Sequence, residues 1–165
     1  MRWPAYAILV YIVIGLQLGA GEFLRIGGAK PDLVLLAVIF ITVNAPRETA
    51  LLGAFGIGAI HDMVTLAPLG VYALAYSLVG MFVVSTQELV YRAHPATNFS
   101  LGLAGSLLVS AVVLVHGWIK GPSASIMELL ASSFYTAMLA PIVLGLLHLT
   151  RKAFAFSSRR RARSF

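Results

Sequence analysis

The chain has 165 residues, 59% of them hydrophobic and 11% charged, with no cysteine and a formal net charge of +6. Soluble domains are about 45–50% apolar and about 25% charged, so this composition excludes an ordinary water-soluble fold and points to a lipid bilayer as the solvent. The missing thiols exclude disulfides and thiolate metal centres, and His61, His94, His116 and His148 are scattered without a metal-binding pair spacing, so neither a metal nor a cofactor is expected.

A bilayer core about 30 Å thick needs about 20 apolar residues per helix, which leaves room for about six crossings with short connections. Backbone groups in hydrocarbon must be satisfied internally, so the spans are expected to be helices; the alternating segments of about ten residues that a barrel requires do not occur. The expected fold is an all-α integral membrane protein, a six-helix transmembrane bundle over residues 1–150, followed by a basic cytoplasmic tail over residues 151–165.

The first span, Ala5–Leu24, resembles a signal peptide only superficially. Its basic region is Arg2 alone, its apolar run is long, and Gly19-Ala20-Gly21 is a weak cleavage match, so it reads as a retained helix. Gly15 and Gly19 lie four residues apart with Gln17 between them, a smooth face for a helix of the bundle or of another protein. The connection Arg25–Asp32 ends in Pro31-Asp32, where Asp32 is placed to cap the next helix. The second span, Leu33–Ala45, is short; a re-entrant segment here would move the N-terminus to the other side. Pro46–Glu48 connects onward, with Pro46 suited to a first helical turn.

The third span, Thr49–Leu66, carries Ala50, Ala54, Gly58 and Asp62 at four-residue intervals, hence on one helix face. Small residues admit a close neighbour, and Asp62 ends this seam about 6 Å below the membrane interface. An ionisable group at that depth faces the bundle interior. It is either a substrate, proton or partner site, or a carboxylate holding the turn at Ala67–Gly70. His61 points to a different face. Pro68 and Gly70 punctuate the turn. The fourth span, Val71–Val90, begins with Tyr72, Ala73, Tyr76 and Ser77 and includes Gly80; tyrosines near a span end often anchor at the interface. Glu88 and Arg92 can pair at i,i+4, worth about 0.3–0.5 kcal/mol. After Tyr91–Asn98 comes the fifth span, Phe99–Ile119, with Gly102, Ser106 and Ser110 in a four-residue row. Lys120–Ser125 leads to the sixth, Ile126–Thr150, which Pro141 should kink.

With the tail inside and six alternating spans, nine of the 12 lysines and arginines fall on the inner side, including Arg151, Lys152, Arg159, Arg160, Arg161 and Arg163. This asymmetry predicts both termini in the cytoplasm, with the tail against the anionic leaflet of the lipid bilayer. No aromatic interleaving or folded module accompanies the basic run, so no nucleic acid partner is expected.

Enzyme readings fare poorly. Gly105-Ser106 lacks the frame of a serine nucleophile elbow. A membrane aspartyl protease needs two facing carboxylates sharing a proton; Asp32 and Asp62 are candidates by level, but capping is the default for Asp32. Few polar side chains lie inside spans, chiefly Gln17, Asp62, Ser77, Ser106, Ser110 and Ser132. That scarcity argues against a transporter subunit, which gathers several polar groups around its ligand.

The stretch Leu51–Gly80, LLGAFGIGAIHDMVTLAPLGVYALAYSLVG, resembles the rod shape-determining MreD family of bacteria. It has a glycine-rich helix, an Asp near its end, a proline-leucine-glycine turn and a small/aromatic helix ending in Gly. Lys30-Pro31-Asp32-Leu33-Val34-Leu35-Leu36 resembles the family's second span. Asp62, Pro68 and Gly70 carry the family motif; His61 departs from the apolar residue expected before the Asp. The resemblance implies a non-enzymatic part in cell elongation. It implies contact with an MreC-like membrane-anchored protein, and work alongside the actin-like MreB, RodA and a class B penicillin-binding protein. It also implies a six-helix fold like the substrate-binding subunits of energy-coupling-factor transporters, and hence an alternative: a small-molecule-binding transporter subunit using a pocket near Asp62. No catalytic residue is implied.

Overall fold

The computed structural model describes residues 3–20, 23–25, 28–65, 68–86, 95–120 and 125–150. Among these are six α-helices: α1 (Trp3–Ala20), α2 (Leu33–Asn44), α3 (Arg47–Thr65), α4 (Val71–Thr86), α5 (Pro95–Lys120) and α6 (Ile126–Thr150). Arg2, the Glu88–Arg92 pair, His94 and the basic tail lie outside the described residues. The helices match the six expected spans, with α5 starting four residues early and α6 continuing through Pro141.

Local chemistry explains the boundaries. The Asp32 carboxylate accepts the Leu35 amide at 2.8 Å and caps α2. At its other end Ala45 is extended (φ −98°, ψ 158°), the conformation imposed on a residue before proline. The carbonyl of Pro46 then accepts from Ala50 N–H and the Thr49 hydroxyl, opening α3.

α2 is the hub. Ten consecutive residues, Leu33 to Thr42, are buried, and α2 touches every other helix. A helix that is apolar all round belongs in an interior. Around it, small residues set close contacts. A Cβ at Gly58 would lie 2.5 Å from Ala73 Cα and from the Tyr72 carbonyl oxygen, so α3 and α4 meet nearly backbone to backbone. A Cβ at Gly102 would lie 2.6 Å from Ala140 Cβ, and Ser106 and Ser110 bond to Ser133 across the same α5–α6 seam. The C-terminal halves of α1, α3 and α5 meet the N-terminal halves of α2, α4 and α6 at one end, so successive helices run in alternating directions.

The exterior is apolar: Tyr11, Leu52, Met63, Ile142 and Leu146 are all exposed. Two helices are long and apolar enough to cross a bilayer by length and composition, over Ala96–Ile119 and Ile126–Leu147. The apolar segments Tyr6–Gly19, Leu33–Asn44 and Val71–Thr86 are shorter.

Candidate functional site

Asp62, 1% exposed, sits at the end of the α3 seam. Its two carboxylate oxygens accept the backbone N–H groups of Gly70 (2.9 Å), Tyr72 (3.0 Å) and Ala73 (3.1 Å). These are among the first donors of α4, which have no partner within their own helix, and a negative charge is favoured there. The Pro68 carbonyl accepts Val71 N–H at 3.3 Å to close the turn. Gly70, with φ +100°, occupies the left-handed region that its third position requires. The Asp62 carboxylate thus holds the turn and the start of α4. Pro68, Leu69 and Gly70 themselves are exposed.

The cavity lies beside this turn rather than at Asp62. It measures about 360 Å³ and opens at the N-terminal end of α2. Its existence follows from lengths: α2 has 12 residues and α5 has 26, so α2 is shorter by about 21 Å at 1.5 Å per residue. Its walls are the connection at Lys30–Asp32, Gln17 of α1, His61 of α3, Tyr72 of α4, and the serine and threonine face of α5 and α6. Gln17, Ser106, Ser110 and Ser132, four of the few polar side chains within the spans, converge here.

Hydrogen bonds fix each wall. Gln17 spans the gap from α1, donating to the Pro31 carbonyl (3.1 Å) and accepting from Leu33 N–H (2.9 Å). The Lys30 and Asp32 amides donate to Ser132 Oγ (3.1 Å) and Thr136 Oγ1 (3.0 Å) on α6. The buried Tyr76 hydroxyl donates toward both Asp32 oxygens, at 3.1 and 3.0 Å. His61, 6% exposed, packs edge-on against Tyr72 with ring centroids 4.5 Å apart, and its Nδ1 is buried without a hydrogen-bond partner. Asp32 and Asp62 thus have separate partners, the Tyr76 hydroxyl and the Leu35 amide for one and the amides of Gly70, Tyr72 and Ala73 for the other. Among the described residues, no three His, Asp or Glu side chains are grouped to hold a metal ion.

The remaining small-residue positions divide into two groups. Ala50 and Ala54 are buried; Ala54 Cβ would lie 3.0 Å from a Cβ at Gly80, so Ala54 and Gly58 belong to the chain's own α3–α4 packing. Gly15 and Gly19 are exposed, and a Cβ on either would meet nothing within 4 Å. Sequence spacing marks Asp32 as a cap but not as a cavity residue, and the tyrosines of α4 as interfacial anchors, whereas Tyr76 is buried against Asp32. The available signal for both was α2 itself, too short and too uniformly apolar to lie anywhere but in the centre.

An apolar exterior, two helices long enough to cross a bilayer and polar groups gathered inside define a helical membrane protein. The profile described as rod shape-determining protein MreD matches residues 1–158, and the chain belongs to that family, whose role is the determination of rod shape. No curated protein and no solved structure matches the chain, so nothing in these comparisons supports the expected fold likeness to energy-coupling-factor subunits.

Proposed function

We propose that this chain is a non-enzymatic scaffold or regulator of the bacterial cell-elongation machinery, acting through helix contacts with an MreC-like membrane-anchored protein. MreB, RodA and the class B penicillin-binding protein are engaged directly or through that partner. In this reading all six helices cross the plasma (inner) membrane, both termini are cytoplasmic, and the Asp62 turn and the cavity face outward.

Family membership supports the cell-shape role. The observation that carries the contact surface is on α1. The space beside Gly58, Gly80 and Gly102 is filled by this chain's own helices, whereas the space beside Gly15 and Gly19 is empty. Tyr11, Ile12 and Leu16 around them are exposed. Such a face admits a partner helix at close range.

The test is co-purification from native membranes. Gly15→Leu with Gly19→Leu is expected to lower recovery of the MreC-like partner while leaving the protein inserted and cooperatively folded. Undiminished recovery removes this face from the interface. The transporter-subunit alternative ranks below, because the family match concerns rod shape and the cavity lies beside the Asp62 turn rather than at Asp62. A vitamin-sized compound that raised the melting temperature would reverse that order.

A further inference from the structure

The cavity at the α2 N-terminus is rich in lone pairs. Along the α5–α6 wall the hydroxyl protons of Ser106, Ser110, Ser133 and Thr136 are already committed. Ser133 donates to the Leu129 carbonyl (2.9 Å), Thr136 to Ser132 (2.8 Å), and Ser106 to the carbonyls of Leu103 (3.0 Å) and Ser133 (3.1 Å). With the Ser133 proton used, Ser110 supplies the hydrogen of the 2.9 Å Ser110–Ser133 contact. A hydroxyl has one proton and two lone pairs, so these side chains offer oxygen, not hydrogen, to the cavity.

The facing wall has the same sense. The Asp32 carboxyl group receives the Tyr76 hydroxyl and the Leu35 amide, and its oxygens keep a further lone pair to offer. Beside it the ring of Tyr72 lines the cavity, and an aromatic face attracts a cation. His61, nine-tenths buried, lines the same space with its Nδ1 unpartnered. A buried polar atom left without a partner is costly and calls for an explanation. Lone pairs, one carboxylate and an aromatic ring together recognise a positively charged hydrogen-bond donor.

We propose that this cavity binds a primary ammonium group, held by the Asp32 carboxylate, the hydroxyl oxygens of α5 and α6, and the ring of Tyr72. The size of the cavity, about 360 Å³, suits a small ligand carrying that ammonium, of which ethanolamine phosphate is the probe. That chemistry has two sources, a free molecule or a phosphatidylethanolamine headgroup entering from the bilayer. The apolar side chains of Val109 and Val113 on the cavity wall are compatible with either. The inference is independent of the partner-contact reading and does not fall with it.

The experiment measures thermal unfolding of the full chain in two settings. In detergent, ethanolamine phosphate is titrated against glycerol 3-phosphate, which keeps the anion and hydroxyls but lacks the ammonium. In lipid nanodiscs, phosphatidylethanolamine is compared with phosphatidylglycerol. Two variants accompany the wild type. Asp32→Asn keeps an oxygen that can cap α2 and removes the charge; Val113→Phe fills the cavity from its apolar side.

Saturable stabilisation by ethanolamine phosphate, weakened roughly tenfold or more in both variants, supports the site with a free ligand. Stabilisation confined to phosphatidylethanolamine discs and lost in both variants supports it with a lipid ligand. An equal response to glycerol 3-phosphate, a response retained in both variants, or none in either setting overturns it. Should Asp32→Asn lose its cooperative melt, Val113→Phe decides alone.

Discussion

Asp62 shows how much one side chain can fix. Three backbone N–H groups at the start of α4 end on its buried carboxylate. Asp62→Ala leaves those donors unpaired and is expected to lower unfolding stability by about 2–3 kcal/mol, whereas Asp62→Asn, which retains one acceptor oxygen, should cost about 1 kcal/mol. Chemical or thermal unfolding in detergent separates the two, and a wild-type melt for Asp62→Ala would mean that the turn is held by other contacts. The glycines make a second residue-scale contrast. Gly58→Ala drives a Cβ to 2.5 Å from α4 backbone atoms, an overpacking expected to cost about 1–3 kcal/mol. Gly15→Ala meets no atom and should be neutral or stabilising by up to about 1 kcal/mol, the ordinary helix preference of Ala over Gly. A matched pair of melting curves reads both; similar losses in the two would show that Gly15 is packed as Gly58 is.

At the scale of elements, what the sequence made legible were the seams. Ala50, Ala54, Gly58 and Asp62, and again Gly102, Ser106 and Ser110, announce close helix faces because a four-residue rhythm needs only local spacing. The cavity was not legible, because the residues that build it come together over long separations: the Asp32 amide and Thr136 are 104 positions apart. Nor does local spacing reveal that Gln17 turns inward to bond α2 rather than sharing the open face of Gly15 and Gly19. The α5–α6 seam can be tested as a unit. Gly102→Ala places a methyl where Ala140 Cβ would be 2.6 Å away, so a loss of about 1–3 kcal/mol is expected. Ala140→Gly opens that same space, and the double variant should recover part of the loss. Additive destabilisation in the double-mutant cycle would show that the two residues do not share the contact.

The whole molecule poses the question of how a 12-residue helix serves in a bundle of membrane helices. At about 18 Å, α2 is shorter than a hydrocarbon core of about 30 Å. That mismatch matters only where a helix meets lipid. α2 is enclosed by the other five helices, and backbone at membrane depth is tolerated where protein or an internal cavity surrounds it. The cavity lies over its N-terminus, beside Pro31 and Asp32. This predicts that α2 separates the two sides of the membrane despite its length, and the absence of native cysteine makes the prediction accessible to single-cysteine labelling. Arg25, Glu48 and Leu69 are all exposed. In right-side-out vesicles, an impermeant maleimide should label Arg25→Cys and Leu69→Cys and spare Glu48→Cys until the membrane is opened. Labelling of Arg25→Cys and Glu48→Cys from the same side would make α2 re-entrant and move the N-terminus outside. A complete reversal of the pattern would instead keep six crossings and turn the cavity toward the cytoplasm, against the lysine and arginine asymmetry of the chain.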